Sequence, residues 1–253
     1  MSKPDYFNFS IIILAAGQGK RMKNPNMSKV MALLDDTPLI AHVLNQAVKL
    51  HPDKIVVIVG YQKDSVINYV RDNFQLIEFT VQDEQLGTGH AVLQTEPNYV
   101  NYDGNILILS GDVPLLRSET LDKFIKQHYE NNLDLSVLST YADNPTGYGR
   151  IIRNEQDEFV KIVEEKDANS NEQLIKEINS GVYFVNSKIL FDALKQVSNN
   201  NQQNEYYLTD IIEILQNNGF KVGAFAGAEF NELQGVNSPD DLAKVHHYYN
   251  ELK

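Results

Sequence analysis

The stretch FSIIILAAGQGKRM, Phe9–Met22, joins an apolar run to a turn that carries two glycines and two cations. The run reads as a strand. The glycines let the backbone approach a ligand closely, and Lys20 and Arg21 add positive charge, so the ligand they imply is a phosphate. Taken alone, glycines after a strand suit a structural turn as well as a binding loop. The dinucleotide fingerprint needs a third glycine where Met22 stands, and the triphosphate loop needs four residues before its Gly-Lys pair, so neither fits. Lys29 follows eight residues past Arg21, near enough for a loop to return a second cation to the same anion.

Outward from this turn, residues 9–14, 54–59 and 76–81 read as strands, and 37–50, 62–73 and 89–95 as helices. Alternation of this kind implies right-handed crossovers and a largely parallel sheet with helices on both faces. Residues 105–109 (NILIL) add a fully buried strand. Ligands of such sheets lie beyond the carboxyl ends of the strands. Thr37 is expected to cap a helix with Pro38 at its first position, after which Leu39, Ile40, Val43, Leu44, Ala47 and Val48 trace one apolar face. Ser238-Pro-Asp-Asp repeats the device. From about Leu133 the pattern changes: 134–140, 149–153, 159–163 and 177–185 read as strands with few helices between, an extension of the sheet plus a small antiparallel lobe over the ligand site. Residues 198–204 (SNNNQQN) read as a solvated low-complexity loop. No hexapeptide array of the kind that builds a β-helix is present in the sequence.

The length of 253 residues suits one α/β domain, 1–253, with a first half to about 132 and a second from about 133. Lys and Arg number 22 against 34 Asp and Glu, a net charge of −12, which counts against nucleic acid and membrane surfaces as partners. A phosphate must therefore be met by cations placed locally. The chain has no cysteine, which removes disulfides, thiolate metal sites and thiol nucleophiles. The start is polar and the apolar run at 11–16 is too short for a signal-peptide core or a membrane span, so the expectation is a cytoplasmic protein.

Three further segments carry chemistry. Ser110-Gly-Asp-Val-Pro-Leu sets Asp112 just past the buried strand, where a carboxylate suits Mg2+, although Pro114 also permits a simple turn capped by the acid. Gln82-Asp-Glu-Gln-Leu-Gly-Thr-Gly-His offers Gln82 and Gln85, which can read the edge of a nucleobase, and Gly87-Thr-Gly89 offers backbone amides at a helix start. A plain strand-to-helix turn is the alternative there. The six histidines lack metal-ligand spacing; His246 and His247 belong to a terminal helix, and His90 is given no catalytic role.

The set of motifs LAAGQGKRM, QDEQLGTGHAV, GDVPL, GYGRI, IVEEKDA, INSGVY, NEYYLTD and GVN resembles, in order and over nearly the whole chain, the sugar-1-phosphate nucleotidyltransferases. Among them it is most similar to the uridylyltransferase domain of the bifunctional bacterial N-acetylglucosamine-1-phosphate enzymes. The resemblance implies a three-layer α/β/α Rossmann-like fold of the GT-A-like nucleotidyltransferase kind, with a mixed, mostly parallel sheet and a small antiparallel lobe. It implies phosphate-contacting catalytic cations at Arg21 and Lys29, nucleotide contacts at Leu14, Ala15, Ala16, Gly17, Gln82, Gln85, Gly87 and Thr88, sugar contacts at Gly149, Glu164, Asn179 and Asn237, and Mg2+ held by Asp112 and Asn237. Met27-Ser-Lys29-Val stands where the family often has Leu-Pro-Lys-Val, and Ser110-Gly-Asp112 where it often has Tyr-Gly-Asp; the cation and the acid are retained.

The implied substrates are UTP and N-acetylglucosamine 1-phosphate, the products UDP-N-acetylglucosamine and pyrophosphate for cell-envelope amino sugars. A nucleotidyltransferase for another sugar 1-phosphate is the nearest alternative, and a non-catalytic nucleotide-binding module a more distant one. The bifunctional enzymes continue into a hexapeptide-repeat acetyltransferase domain, so the expectation is a stand-alone uridylyltransferase or a truncated one.

Overall fold

The computed structural model describes residues 8–24 and 26–253, and the polar start of the chain lies outside them. In chain order the elements are β1 (Phe9–Ala15), β2 (Leu33–Leu34), β3 (Thr37–Pro38), α1 (Leu39–Lys49), β4 (Ile55–Val59), α2 (Lys63–Asn73), β5 (Ile77–Val81), α3 (Thr88–Leu93), β6 (Asn105–Ser110), α4 (Ser118–Glu130) and β7 (Leu135–Tyr141). They continue with β8 (Arg150–Arg153), β9 (Phe159–Val163), β10 (Glu177–Asn186), α5 (Ser187–Leu194), α6 (Ile211–Asn217), β11 (Val222–Ala226) and α7 (Pro239–Glu251).

One nine-stranded sheet runs β11-β7-β10-β6-β1-β4-β5, with β8 and β9 branching from β10. β1, β4, β5 and β6 are parallel neighbours, as their βα alternation requires, whereas β10 runs antiparallel to both β6 and β7. The architecture is thus the mixed, mostly parallel α/β sheet expected, with the antiparallel β8–β10 lobe at one side.

The period of two along β1 divides the core. Ile11 and Ile13 pack with α1, α2 and α4, and Ile12 packs with α3, α5 and α6 on the opposite face. Three layers result. A third, smaller cluster seals α7 over α1 through Leu39, Leu34, Val236 and Val245.

Two sequence readings are corrected. Thr37 does not cap α1: Thr37–Pro38 pairs with Leu33–Leu34 in a tight hairpin whose turn residues Asp35 and Asp36 have φ of 52° and 61°, and the helix starts at Leu39 with no side-chain cap. Pro38 therefore ends a strand rather than opening a helix. The second half is also richer in helix than expected, since α5 and α6 are short amphipathic segments that close the second core face. Ser238 does cap α7, accepting from Asp241 N–H.

β1 lies between β4 and β6: the chain runs outward from it through β4 and β5, then crosses back to β6 on its other side. The crevice past its carboxyl end is the switch point where such sheets bind ligands.

Candidate active site

β1 ends in Leu14 and Ala15, and at Ala16 the chain enters the glycine loop. Gly19 takes φ +63°, and a Cβ there would stand 2.6 Å from Cβ of Lys29. Only glycine lets the Lys29 stem lie against this loop. Gly17 is different: a Cβ there would meet nothing, so packing does not demand glycine and bare backbone faces the open cavity. Short 3-10 turns at Lys20–Met22 and Lys29–Met31 bring Arg21 and Lys29 to the same wall.

Asp112 follows β6 and is 9% exposed; the Gly111 amide bonds Leu14 O, tying this loop to the glycine loop. From the far end of the chain, Val236 N–H donates to Asp112 O at 2.9 Å and delivers Asn237 beside the carboxylate. α7 anchors the delivered segment, since Asp241 Oδ2 accepts from Asn237 N–H at 3.1 Å and from the Ser238 hydroxyl at 2.9 Å.

Asp112 Oδ2 and Asn237 Oδ1 converge on one cation, the Lys29 ammonium, with 3.0 Å to the Asn237 oxygen and a closer bond to Asp112. A carboxylate and an amide oxygen aimed at one point form the donor set of a hard divalent cation whose other ligands are water and phosphate oxygens. The two residues expected to hold Mg2+ fit it. Among the described residues no cluster of three or more His, Cys, Asp or Glu side chains suits a metal otherwise.

These walls enclose a cavity of about 670 Å³ lined by Leu14, Ala15, Ala16, Gly17, Arg21, Lys29, Gln82, Gln85, Gly87, Thr88, Asp112 and Asn237. All the expected nucleotide, phosphate and metal residues thus share one space. Lys20 and Glu205 line it as well. Glu205 was legible only as one letter of NEYYLTD. Burial raises its carboxyl above the ordinary value, opposed by the Lys20 charge.

On the wall beyond β5, Gln82 is almost fully buried and its Nε2 donates to Gly87 O at 3.0 Å. Gly87 has φ +116°, and a Cβ there would lie 2.5 Å from Tyr206 O, so glycine is required. The expectation of free amides along Gly87-Thr-Gly89 is corrected at Gly89, whose N–H bonds Tyr206 O at 2.8 Å; the Thr88 hydroxyl beside it accepts from Leu208 N–H. The Gly-Thr-Gly turn docks the 205–208 segment, which seats Glu205 in the cavity wall.

Gly149, Glu164 and Asn179 gather apart from this cavity, on the β8–β10 lobe. A Cβ on Gly149 would lie 3.4 Å from Glu164 Oε2 and 3.6 Å from Asn179 Cβ. β10 carries a bulge between Asn179 and Val182, with Gly181 at φ +79° and Asn179 Oδ1 accepting from its N–H. The bulge abuts the main cavity, because a Cβ on Gly181 would stand 3.1 Å from Oγ of the cavity residue Ser110. Burial raises the Glu164 carboxyl above the ordinary range, against a hydrogen bond from Thr209. Residues 198–204 are largely exposed, as expected of a loop, yet bonded in: Gln202 N–H donates to Asp167 and Gln203 Nε2 to the Tyr207 hydroxyl.

Comparison with known proteins agrees with this geometry. The nucleotidyl transferase family model matches residues 10–246. The bifunctional protein GlmU of Clostridioides difficile strain 630 is 46% identical over 238 residues, covering 94% of this chain and 51% of that protein. The bifunctional protein GlmU of Levilactobacillus brevis is 49% identical over 226 residues, covering 89% of this chain and 48% of the relative. The chain therefore spans about half the length of the curated relatives it matches. Among solved structures, a UDP-glucose pyrophosphorylase complexed with UDP-glucose superposes with a TM-score of 0.79 at 17% identity over 97% of this chain and 100% of its own. That likeness is one of fold.

Proposed function

The chain belongs to the nucleotidyl transferase family, and we propose that it transfers the uridylyl group of UTP to N-acetylglucosamine 1-phosphate with release of pyrophosphate. The observation that carries this reading is the convergence of Lys29, Asp112 and Asn237 beside Arg21 at the switch point of the sheet. Among the described residues no histidine lines this phosphate centre to activate the hydroxyls of Thr88 or Ser110, and the chemistry needs no such nucleophile.

A sugar phosphate carries about −1.5 to −2 charge near neutral pH, so its own oxygen attacks the α-phosphorus of UTP while the bond to the bridging oxygen breaks and pyrophosphate leaves. The difficulty is bringing two anions together in line. Arg21 and Lys29 neutralise the departing pyrophosphate. Mg2+ on Asp112 and Asn237 supplies further neutralising charge when bound. Gln82 and Gly87 hold the base, and Gly149, Glu164 and Asn179 hold the hydroxyls and N-acetyl group of the sugar. No described helix is long and apolar enough to cross a membrane, and the enzyme is assigned to the cytoplasm, where it makes precursors for envelope amino sugars.

The experiment is pyrophosphate release from UTP, CTP, GTP or dTTP with the 1-phosphates of N-acetylglucosamine, N-acetylgalactosamine, glucose and mannose. Release dominated by UTP with N-acetylglucosamine 1-phosphate is the expected result. Preference for another sugar reassigns the lobe, and silence with every pair removes the activity.

A further inference from the structure

We propose that His90 is the positioning residue that sets base selection, by holding the Gln82 carboxamide so that only its oxygen is available to the nucleotide. The inference rests on the uridine-nucleotide reading above and concerns a side chain to which that reading gives no part.

Gln82 is 3% exposed and lines the nucleotide cavity, and its own N–H is fixed to Val59 O at 2.8 Å. Its Nε2 lies 3.0 Å from Gly87 O and 3.0 Å from His90 Nδ1. The Gly87 carbonyl can only accept, so the carboxamide must turn its nitrogen that way. The second N–H then faces His90 Nδ1, which must be the unprotonated nitrogen of a neutral ring.

On its other side His90 meets Gln94, with Nε2 to Nε2 at 3.1 Å. A neutral imidazole has one acceptor, so only one of the two glutamines can donate to it. Burial decides which. Gln94 Nε2 also lies 3.3 Å from His90 O, but Gln94 is partly exposed, so turning its oxygen to the ring gives up that long bond with water as the alternative partner, whereas reversing Gln82 would set its oxygen against Gly87 O at 3.0 Å in a dry wall. The proton therefore sits on His90 Nε2. Both N–H groups of Gln82 are spent inside the protein.

What Gln82 has left for a ligand is an acceptor. Uracil answers with N3–H, while cytosine offers a bare N3 lone pair at the same place and leaves two acceptors opposed in a buried site. Remove the His90 acceptor, and one of the two bonds that hold the amide is lost.

The test compares kcat/KM for UTP and CTP in the native chain, in His90→Leu, and in His90→Asn, whose side-chain oxygen can replace Nδ1 as acceptor. We expect the UTP-to-CTP ratio to fall about tenfold in His90→Leu, the effect of one hydrogen bond, and to be retained in His90→Asn. Equal losses with both nucleotides in His90→Leu, leaving the ratio unchanged, overturn the proposal. A native chain that fails to prefer UTP overturns the nucleotide reading itself, a separate outcome read from the native arm alone. Nitrogen NMR of the native histidine rings gives a readout independent of folding in the variants: His90 protonated on Nε2 and bare at Nδ1 is expected, and the reverse tautomer contradicts the proposal.

Discussion

Lys29 Nζ lies 3.0 Å from Oδ1 of Asn237, a residue 208 positions further along the chain, and it bonds the Asp112 carboxylate at the same time. Three segments distant in sequence thus meet at one ammonium. The contact is made by the glycine loop after β1, the loop after β6 and the N-terminal shoulder of α7. Any anion that enters must approach a point where the protein has already opposed one cation with two oxygens.

Asp112→Ala and Arg21→Ala are expected to keep the fold and lower turnover by about 10²- to 10³-fold, the usual cost of deleting one preorganised charge contact. Pyrophosphate release together with circular dichroism checks this. Near-native turnover in either folded variant removes the role assigned to that residue.

Gly19→Ala acts on Lys29 without touching its charge. The new methyl would enter at 2.6 Å from Lys29 Cβ on a backbone with φ +63°, so the loop or the lysine must shift. The left-handed conformation alone costs about 1–2 kcal/mol with a side chain. A lower melting temperature together with reduced turnover is expected. Gly17→Ala, which meets nothing within the protein, is expected to leave the melting temperature unchanged.

Asp241→Ala releases Asn237 N–H and the Ser238 hydroxyl together. Weakened capping of α7 is expected to cost roughly 1 kcal/mol. Because the same carboxylate steadies Asn237, the Mg2+ concentration for half-maximal turnover is expected to rise, and excess Mg2+ to restore most of the rate. A change in stability with no change in the Mg2+ midpoint would confine Asp241 to the helix cap.

His128 gives the fold a pH dependence. It is buried against Phe184 and Tyr129 and shares a 2.8 Å hydrogen bond with Ser136, and burial pushes its pKa down from 6.5 to about 4. The folded pKa is depressed, so between these values the unfolded chain binds the proton more readily. Stability is therefore lost as pH falls from about 6.5 towards 4, by a full amount of about 3 kcal/mol. Thermal unfolding of the native chain and of His128→Gln, which cannot titrate, should show their difference in stability moving in favour of the variant across that interval. A constant difference contradicts the assignment.

Much of this was legible because the signals were local. The run at 9–14 is apolar on both faces, and β1 is buried on both sides, Ile11 and Ile13 to one core and Ile12 to the other. Asp112 could be placed at the end of a strand from NILIL alone. Asn237 could not: nothing near it in sequence points to β6, and only resemblance to a family linked it to Asp112 before the Val236–Asp112 bond gave the physical reason. Thr37 misled because Thr-Pro opens helices often, whereas here the two aspartates at positive φ turn the chain into a hairpin first. α5 and α6 escaped because segments of 8 and 7 residues show scarcely two turns of periodicity. The second partner of Gly87 and Gly89 is the 205–208 segment, a contact across more than a hundred residues that local turn chemistry does not report.

The most direct test is phosphorus NMR of the native chain and of Asp112→Ala with UTP, N-acetylglucosamine 1-phosphate and Mg2+. Transfer predicts a nucleoside diphosphate sugar and pyrophosphate appearing in equal amounts as both substrates disappear, with the variant nearly silent. Pyrophosphate accompanied by UMP while the sugar phosphate persists would mean hydrolysis, and equal rates from native and variant chains would place the chemistry away from Asp112.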